Sequence, residues 1–389
     1  MKQNIVVMKF GGSSLSDPKK IKNVASLVAK RAEDGKKVVV VVSAQGKTTL
    51  NLMKSAREIS PNLHKRELDM VLTAGERVSM ALLAMAINDL GLESISFTGS
   101  QCGIITTDEH SNARIIDVRP FRVQDELNRN KIVIVAGFQG VSYKREITTL
   151  GRGGSDTTAV ALTAALDAEY CEIFSDVDGI YSGDPREVDP FKLTSLSYDE
   201  MLELAFRGAK VLNHRAVAYA KDKKIAIYAR SSLKEGSTTI RKFKPEYQNA
   251  IYAVTRHPSL VMVTAPSAEA FLELMEKVQN NDLTIKYLVA AENLFKIFIS
   301  YQFLPELKNI KIIFSHNLEV ESISLLGNSI SESTNIILKA EKILLKNDIK
   351  VHAMEFSHSH LTYYISGSEG KNLEKLFHRQ FIKPHQNPV

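Results

Sequence analysis

GKKVVVVVSAQGK, residues 35–47, decides the fold. Five consecutive valines, Val38–Val42, leave no polar face, so this strand must be covered on both sides, as in the parallel sheets of α/β proteins. Working outward, Ile5–Phe10 reads as another buried strand. It is followed by Gly11, Gly12, Ser13 and Ser14, and then by Asp17 and Pro18 as cap and first position of a helix to about Ala32. Downstream the alternation continues. A helix is predicted over Glu67–Leu90, strands over Ser94–Phe97 and Lys131–Ala136, a helix over Asp156–Leu166, a strand over Glu172–Ser175, helices over Tyr198–Ala205 and Ala209–Lys221, and a closing strand over Lys224–Ala229. The repetition predicts a three-layer α/β/α domain over 1–232.

Composition changes beyond that point: 17 of the 20 glycines precede residue 250 and 7 of the 10 histidines follow it. A linker is read at 233–250, with two small α+β modules after it, 251–315 and 316–389. The first carries Leu260–Thr264, a helix over Ala268–Val278 and Leu294–Ile299. The second carries Val320–Leu326, a helix over Ser331–Lys346, the pair Lys350–Phe356 and Leu361–Ile365, and a helix over Leu373–Phe381.

With 44% hydrophobic and 24% charged residues, the chain is typical of globular proteins. The net charge of +6 is scattered rather than gathered in basic runs, which argues against nucleic acid as partner. Cys102 and Cys171 are far apart with no metal-ligand spacing, so reduced thiols in cytoplasm are expected, and no metal site. The apolar stretch Ile5–Met8 is too short for a signal peptide, and no run approaches the ~18 apolar residues of a membrane helix. His358 and His360 alternate on one strand face without further ligands and read as a surface hairpin.

Gly151, Arg152, Gly153, Gly154, Ser155 and Asp156 stand immediately before a helix. Glycines let backbone amides approach an anion, the helix N-terminus favours negative charge, and Arg152 can grip a carboxylate. The other reading is a glycine-rich turn capped by Ser155 or Asp156. Lys9 with Gly11 and Gly12 forms a second glycine loop at a strand end, where ligands of α/β sheets gather; Lys9 either neutralises a phosphoryl group or is a solvated charge. Gly46-Lys47-Thr48-Thr49 is no P-loop, because that motif needs glycine where Val41 stands. Ser43, Thr48 and Thr49 are left as polar contacts or ordinary turn residues. Ser175, Asp176, Asp178, Tyr181, Asp184 and Arg186 suit a nucleotide, and equally suit turn chemistry. Lys210 is a phosphate-facing lysine or a solvated one. Glu76, after Thr73-Ala74-Gly75, serves the helix dipole or a ligand's ammonium group.

Taken together, KFGGSS (9–14), LTAGER (72–77), FTGSQCG (97–103), VAGFQG (135–140), TTLGRGGSDTT (148–158), SDVDGIY (175–181) and DPR (184–186) resemble the aspartokinases of the amino-acid kinase superfamily. The resemblance implies an α/β amino-acid kinase domain followed by α+β ACT-like modules, and transfer of the ATP γ-phosphoryl group to L-aspartate. It implies Lys9, Phe10, Gly11, Gly12, Ser43, Ser175, Asp176, Tyr181, Arg186 and Lys210 around ATP. Thr49, Glu76, Arg152, Gly153, Gly154 and Ser155 would surround aspartate, and Lys9, Asp156 and Lys210 would serve catalysis. Mg²⁺ would accompany the nucleotide. A homodimer, no membrane or nucleic-acid partner, and an inhibitory amino acid, lysine or threonine, complete the expectation. Members usually carry an Asp-x-Pro-Gly turn in the first module; here the sequence is Thr264-Ala265-Pro266-Ser267, and Asn328-Ser329-Ile330-Ser331 in the second.

Overall fold

Val38 to Val42 are at most 1% exposed, and burying each such aliphatic side chain is worth about 1.5–3 kcal/mol. In the computed structural model, which describes residues 3–209, 211–242, 251–280, 283–291, 294–301 and 318–382, the valines form β2 (Lys37–Val42) between β1 (Gln3–Phe10) and β6 (Ile132–Ala136), both parallel to it. The chain divides into two compact units, 1–180 with 193–202 and 210–245, and 181–192 with 203–209 and 246–389.

Over residues 3–241 the elements follow in the order β1, α1 (Pro18–Glu33), β2, α2 (Thr48–Ile59), α3 (Lys65–Leu72), α4 (Ala74–Asn88) and β3 (Ser94–Phe97), then β4 (Ile104–Thr106), β5 (Ile115–Val118), α5 (Phe121–Asn128) and β6. The order continues with β7 (Gln139–Ser142), β8 (Ile147–Thr149), α6 (Gly154–Ala165) and β9 (Ala168–Ser175), then the short pair β10 (Ile180–Tyr181) and β11 (Lys192–Leu193) and β12 (Ser195–Ser197). α7 (Tyr198–Phe206), α8 (His214–Lys223), β13 (Ile227–Ser231) and β14 (Ser237–Arg241) follow. The main sheet has the order β12-β14-β13-β9-β1-β2-β6-β3. Alternation along β1 and β2 sends Val6, Met8, Phe10, Val38, Val40 and Val42 into one core with Val24 and Val28 of α1 and Leu83 and Ile87 of α4. Lys9 and Val41 point to the other face, where α6 packs. These are the three layers expected.

Several elements differ from the sequence reading. The helix expected over Glu67–Leu90 is two helices meeting at Thr73, whose hydroxyl bonds back to Met70 O, and a Cβ on the next-but-one Gly75 would lie 2.7 Å from Ala44 Cβ. α2 went unread because none of its residues is fully buried, so its apolar signal is weak. A second sheet, β5-β4-β7-β8, is made of strands of three or four residues, too short to show a period. Ser237–Arg241, inside the span read as a linker, pairs antiparallel with β13. Lys65–Asn88, which spans α3 and α4, is apolar enough to cross a membrane by length and composition alone; Leu83, Ala84 and Ile87 of this stretch are core residues of the first unit.

The second unit holds one six-stranded sheet, β16-β17-β15-β18-β20-β19. Its strands are β15 (Ile251–Ala265), β16 (Ile285–Ala291), β17 (Leu294–Ser300), β18 (Leu318–Gly327), β19 (Val351–Phe356) and β20 (His360–Ser366). Its helices are α9 (Ala268–Asn280), α10 (Thr334–Lys346) and α11 (Gly370–Phe381). The long β15 serves three clusters, Leu260 and Met262 packing with Phe298, Val320 and Tyr364 in one of them. Val261 and Val263 pack with Leu274 and Val278 of α9 and Ile297 and Ile299, whereas Ile251 and Val254 pack with Ile323, Leu325, Ala340, Tyr363 and Phe377.

Candidate active site

β1, β2, β6 and β9 run parallel, so the loops after Phe10, Val42, Ala136 and Ser175 all emerge at one edge of the sheet. They interlock through backbone. Gly11 N donates to Phe174 O at 3.2 Å, Ser43 N to Phe10 O at 3.1 Å and Gly46 N to Gly12 O at 2.9 Å. A Cβ on Gly12 would come within 2.5 Å of Ala44 O, so only glycine lets these two loops close on each other. Phe10 faces away, fully buried and stacked on Phe174 with ring centroids 4.6 Å apart; only its main chain faces the loops.

Lys9 and Asp156 form an ion pair at 2.6 Å, with side chains 12% and 9% exposed. Asp156 sits in the first turn of α6, and its Oδ2 also accepts from Asn213 N at 3.3 Å. It therefore pins the lysine ammonium near the N-terminus of a helix, where unpaired amides and the helix dipole favour an anion. Gly153, the N-cap of α6, has φ +75°, and a Cβ there would fall 2.0 Å from Asn213 Nδ2, so this turn requires glycine. Ser155 is buried, and a Cβ on Gly137 at the end of β6 would meet its Oγ at 2.8 Å. Arg152 is exposed. Among the described residues its guanidinium has no hydrogen-bond or ion-pair partner, while its carbonyl accepts from Asn213 Nδ2 at 3.0 Å.

Glu76 is the most informative carboxylate in the unit. It is 3% exposed, at the start of α4, and one oxygen accepts from Ala44 N at 3.0 Å. The other, Oε2, is buried with no partner. Burial pushes this carboxyl up to about 7, with the Ala44 amide pulling the other way. A half-satisfied buried carboxylate is costly, and a cationic ligand group would satisfy it.

The expected residues are thus not equally placed. Lys9, Gly11, Gly12, Ser43, Glu76, Gly153, Gly154, Ser155 and Asp156 lie on the interlocked loops, and Thr49 is half-buried in the first turn of α2. Ser175 spends its hydroxyl on Val177 O at 3.1 Å, and Asp176 is exposed. Tyr181 and Arg186 fall in the second unit, where Arg186 pairs with Asp184 at 2.7 Å. Lys210 lies outside the described residues. Sequence reading passed over two residues. Asn213 caps α8 and reaches Asp156 and Arg152, and Asp69 is a fully buried carboxylate on α3. Asp69 had no signal in the sequence, because Leu68 and Leu72 beside it on the helix are apolar but Lys65 and Arg66 are charged.

The family model described as "Amino acid kinase family" matches residues 4–231. The aspartokinase of Bacillus sp. (strain MGA3) is 40% identical over 97% of this chain and 97% of its own. The aspartokinase of Mycolicibacterium smegmatis is 55% identical over 61% of this chain, a match spanning 57% of that protein. Among solved structures, aspartokinase III of E. coli in complex with aspartate and ADP has a TM-score of 0.83 at 22% identity, covering 97% of this chain and 100% of that one. The aspartate kinase of Synechocystis has a TM-score of 0.57 at 31% identity, covering 99% of this chain and 71% of that one.

Proposed function

The chain belongs to the aspartokinases of the amino acid kinase family, and we propose that it transfers the γ-phosphoryl group of ATP to the side-chain carboxylate of L-aspartate, giving 4-phospho-L-aspartate and ADP. The observation that carries the choice of acceptor is Glu76, a buried carboxylate with one unpartnered oxygen beside the anion-binding loop. An acceptor carrying an ammonium group satisfies it, while Arg152, with its free guanidinium, matches the α-carboxylate.

The attacking side-chain carboxylate is already ionised at neutral pH, with an ordinary pKa of about 3.9, so no general base is required. One carboxylate oxygen forms the new bond to the γ-phosphorus as the bond to the bridging oxygen breaks, and ADP leaves with that electron pair. Catalysis is then alignment and charge neutralisation. Lys9, fixed by Asp156, sits where negative charge spreads over the transferring group, and the α6 amides with Gly11 and Gly12 line its path. Among the described residues there is no cluster of three or more His, Cys, Asp or Glu side chains suited to a metal. Mg²⁺ accompanying the nucleotide would supply further charge neutralisation beside Lys9. Ser175, Asp176 and Lys210 complete the nucleotide site in this reading.

The second unit is read as two ACT-like modules, 251–315 and 316–389; the clusters packed on α9 and on α10 with α11 support this reading, although Ile251 and Val254 pack in the latter. A related E. coli structure was solved with lysine and aspartate; an inhibitory lysine or threonine, and a homodimer, belong to the same reading. So does a cytoplasmic location, which two unpaired, buried cysteines support.

The test is hydroxylamine trapping. Purified protein with ATP and Mg²⁺ is expected to yield hydroxamate with aspartate and not with glutamate. Glutamate-dependent product would move the assignment to another acceptor, and no product from folded, ATP-binding protein would overturn it.

A further inference from the structure

We propose that Asp69 is the positioning residue of the acceptor-binding loop, setting where Arg152 stands relative to Glu76; the inference rests on the reading of that loop as the aspartate site. Asp69 is 0% exposed on α3. A carboxylate that deep is retained only if fully hydrogen-bonded, and its donors come from two segments remote in sequence. Thr149 gives its hydroxyl at 2.6 Å and its amide at 3.2 Å. Ser111 gives its amide, 3.1 Å from both carboxylate oxygens, and its hydroxyl at 3.3 Å. His110 Nδ1 lies 2.9 Å away.

The consequence is a strap. Residues 110–113 are drawn onto the end of β8, where Ala113 N donates to Thr149 O at 2.9 Å. Ser111 has φ +68°, a left-handed conformation unfavourable for a serine, which the carboxylate contacts hold in place. Two residues after Thr149, Gly151 at φ +72° lies against the strap, so that a Cβ there would meet Asn112 Oδ1 at 3.1 Å and Ser111 O at 3.3 Å. Arg152 is the next residue. Asp69 thereby fixes the point from which Arg152 departs. From Asp69 the same chain runs through Thr73, whose carbonyl accepts from Gln139 Nε2 at 3.3 Å, to Glu76 at the start of α4. One helix pair carries both the carboxylate that receives the ammonium and the carboxylate that fixes the loop for the α-carboxylate.

The test separates positioning from folding through the two Michaelis constants. Asp69→Asn keeps the shape but not the charge or all the acceptor sites, and a misplacement of the loop should raise KM for aspartate about tenfold or more. KM for ATP should move little, while the thermal midpoint falls because the Asn amide meets the Ser111 and Thr149 N–H donors. A folded Asp69→Asn enzyme with unchanged KM for aspartate overturns the inference. Should that variant not fold, Thr149→Val removes only the 2.6 Å bond; it is expected to raise KM for aspartate severalfold at constant KM for ATP, and no change there overturns the inference equally. Aspartate-dependent turnover of the unaltered chain is measured first. Its absence refutes the acceptor assignment and this inference together, whereas turnover with a silent Asp69→Asn refutes this inference alone.

Discussion

Buried charge at Arg207 and Arg256 of the second unit is handled in the opposite way to that at Glu76 of the first. In the second, Arg207 is 6% exposed and is surrounded by acceptors: Glu203 at 2.8 Å and Glu355 at 2.5 Å, with His360 lying 3.0 Å from Glu203 and 3.1 Å from Glu355. Arg256 is likewise held by Glu321 and Glu374, each at 3.0 Å. In the first unit Glu76 is as deeply buried, yet one of its oxygens has no partner. Charges that partner each other inside the fold are architecture, whereas a buried charge left half-satisfied beside a glycine-lined loop is a receptor.

The comparison can be broken most sharply at Lys9. Lys9→Ala should lower kcat by at least about a hundredfold, the scale for losing one preorganised charge-stabilising group, while the fold persists. Turnover within tenfold of the unaltered enzyme would remove Lys9 from the catalytic set. Arg207→Met probes the other side. It strands Glu203 and Glu355 and should cost about 3–5 kcal/mol in denaturant unfolding, with KM for aspartate of the folded protein unchanged. Burial works against the Glu355 carboxylate, but bonds to Arg207 and His360 bring it down to about 2. Its contribution to stability is present above about 4.5 and is lost as pH falls toward 2.

A smaller, opposite effect is expected at Glu76. Its folded-state pKa of about 7 lies above the ordinary 4.5, so the unaltered protein loses stability as pH rises from 4.5 through 7. Glu76→Gln carries no such penalty and should be more stable at pH 8, by on the order of 2 kcal/mol. Equal stability at pH 8 would mean that the carboxylate is already satisfied and would erase the contrast with Arg207 and Arg256.

The sheet of the first unit was legible because Val38–Val42 and Ile5–Phe10 have one reading in a covered parallel sheet, and the glycine loops were legible because backbone approach restricts residue choice. Other features were less so. α2 buries no residue completely, β4, β5, β7 and β8 are too short to establish a period, and the break at Thr73 lies inside an unbroken apolar stretch. In the second unit the division of β15 among three clusters leaves no mark in the sequence, since Val254, Val261 and Met262 are all buried apolar residues of one strand. Motif spacing identified Glu76 as a candidate, but its unpartnered oxygen depends on how Gly75 brings α4 against Ala44. Asp69 carries no motif, and its role depends on donors 41, 42 and 80 residues away.

The account turns on whether Glu76 waits for an ammonium group, and comparing aspartate with succinate as acceptor tests this directly, because succinate keeps both carboxylates and lacks only that group. The unaltered enzyme should favour aspartate in kcat/KM by at least about a hundredfold, as a site with an unsatisfied buried polar group does, and Glu76→Gln should bring the ratio below about ten. A Glu76→Gln enzyme that discriminates as well as the unaltered one would contradict the assignment of the buried carboxylate as the ammonium receptor.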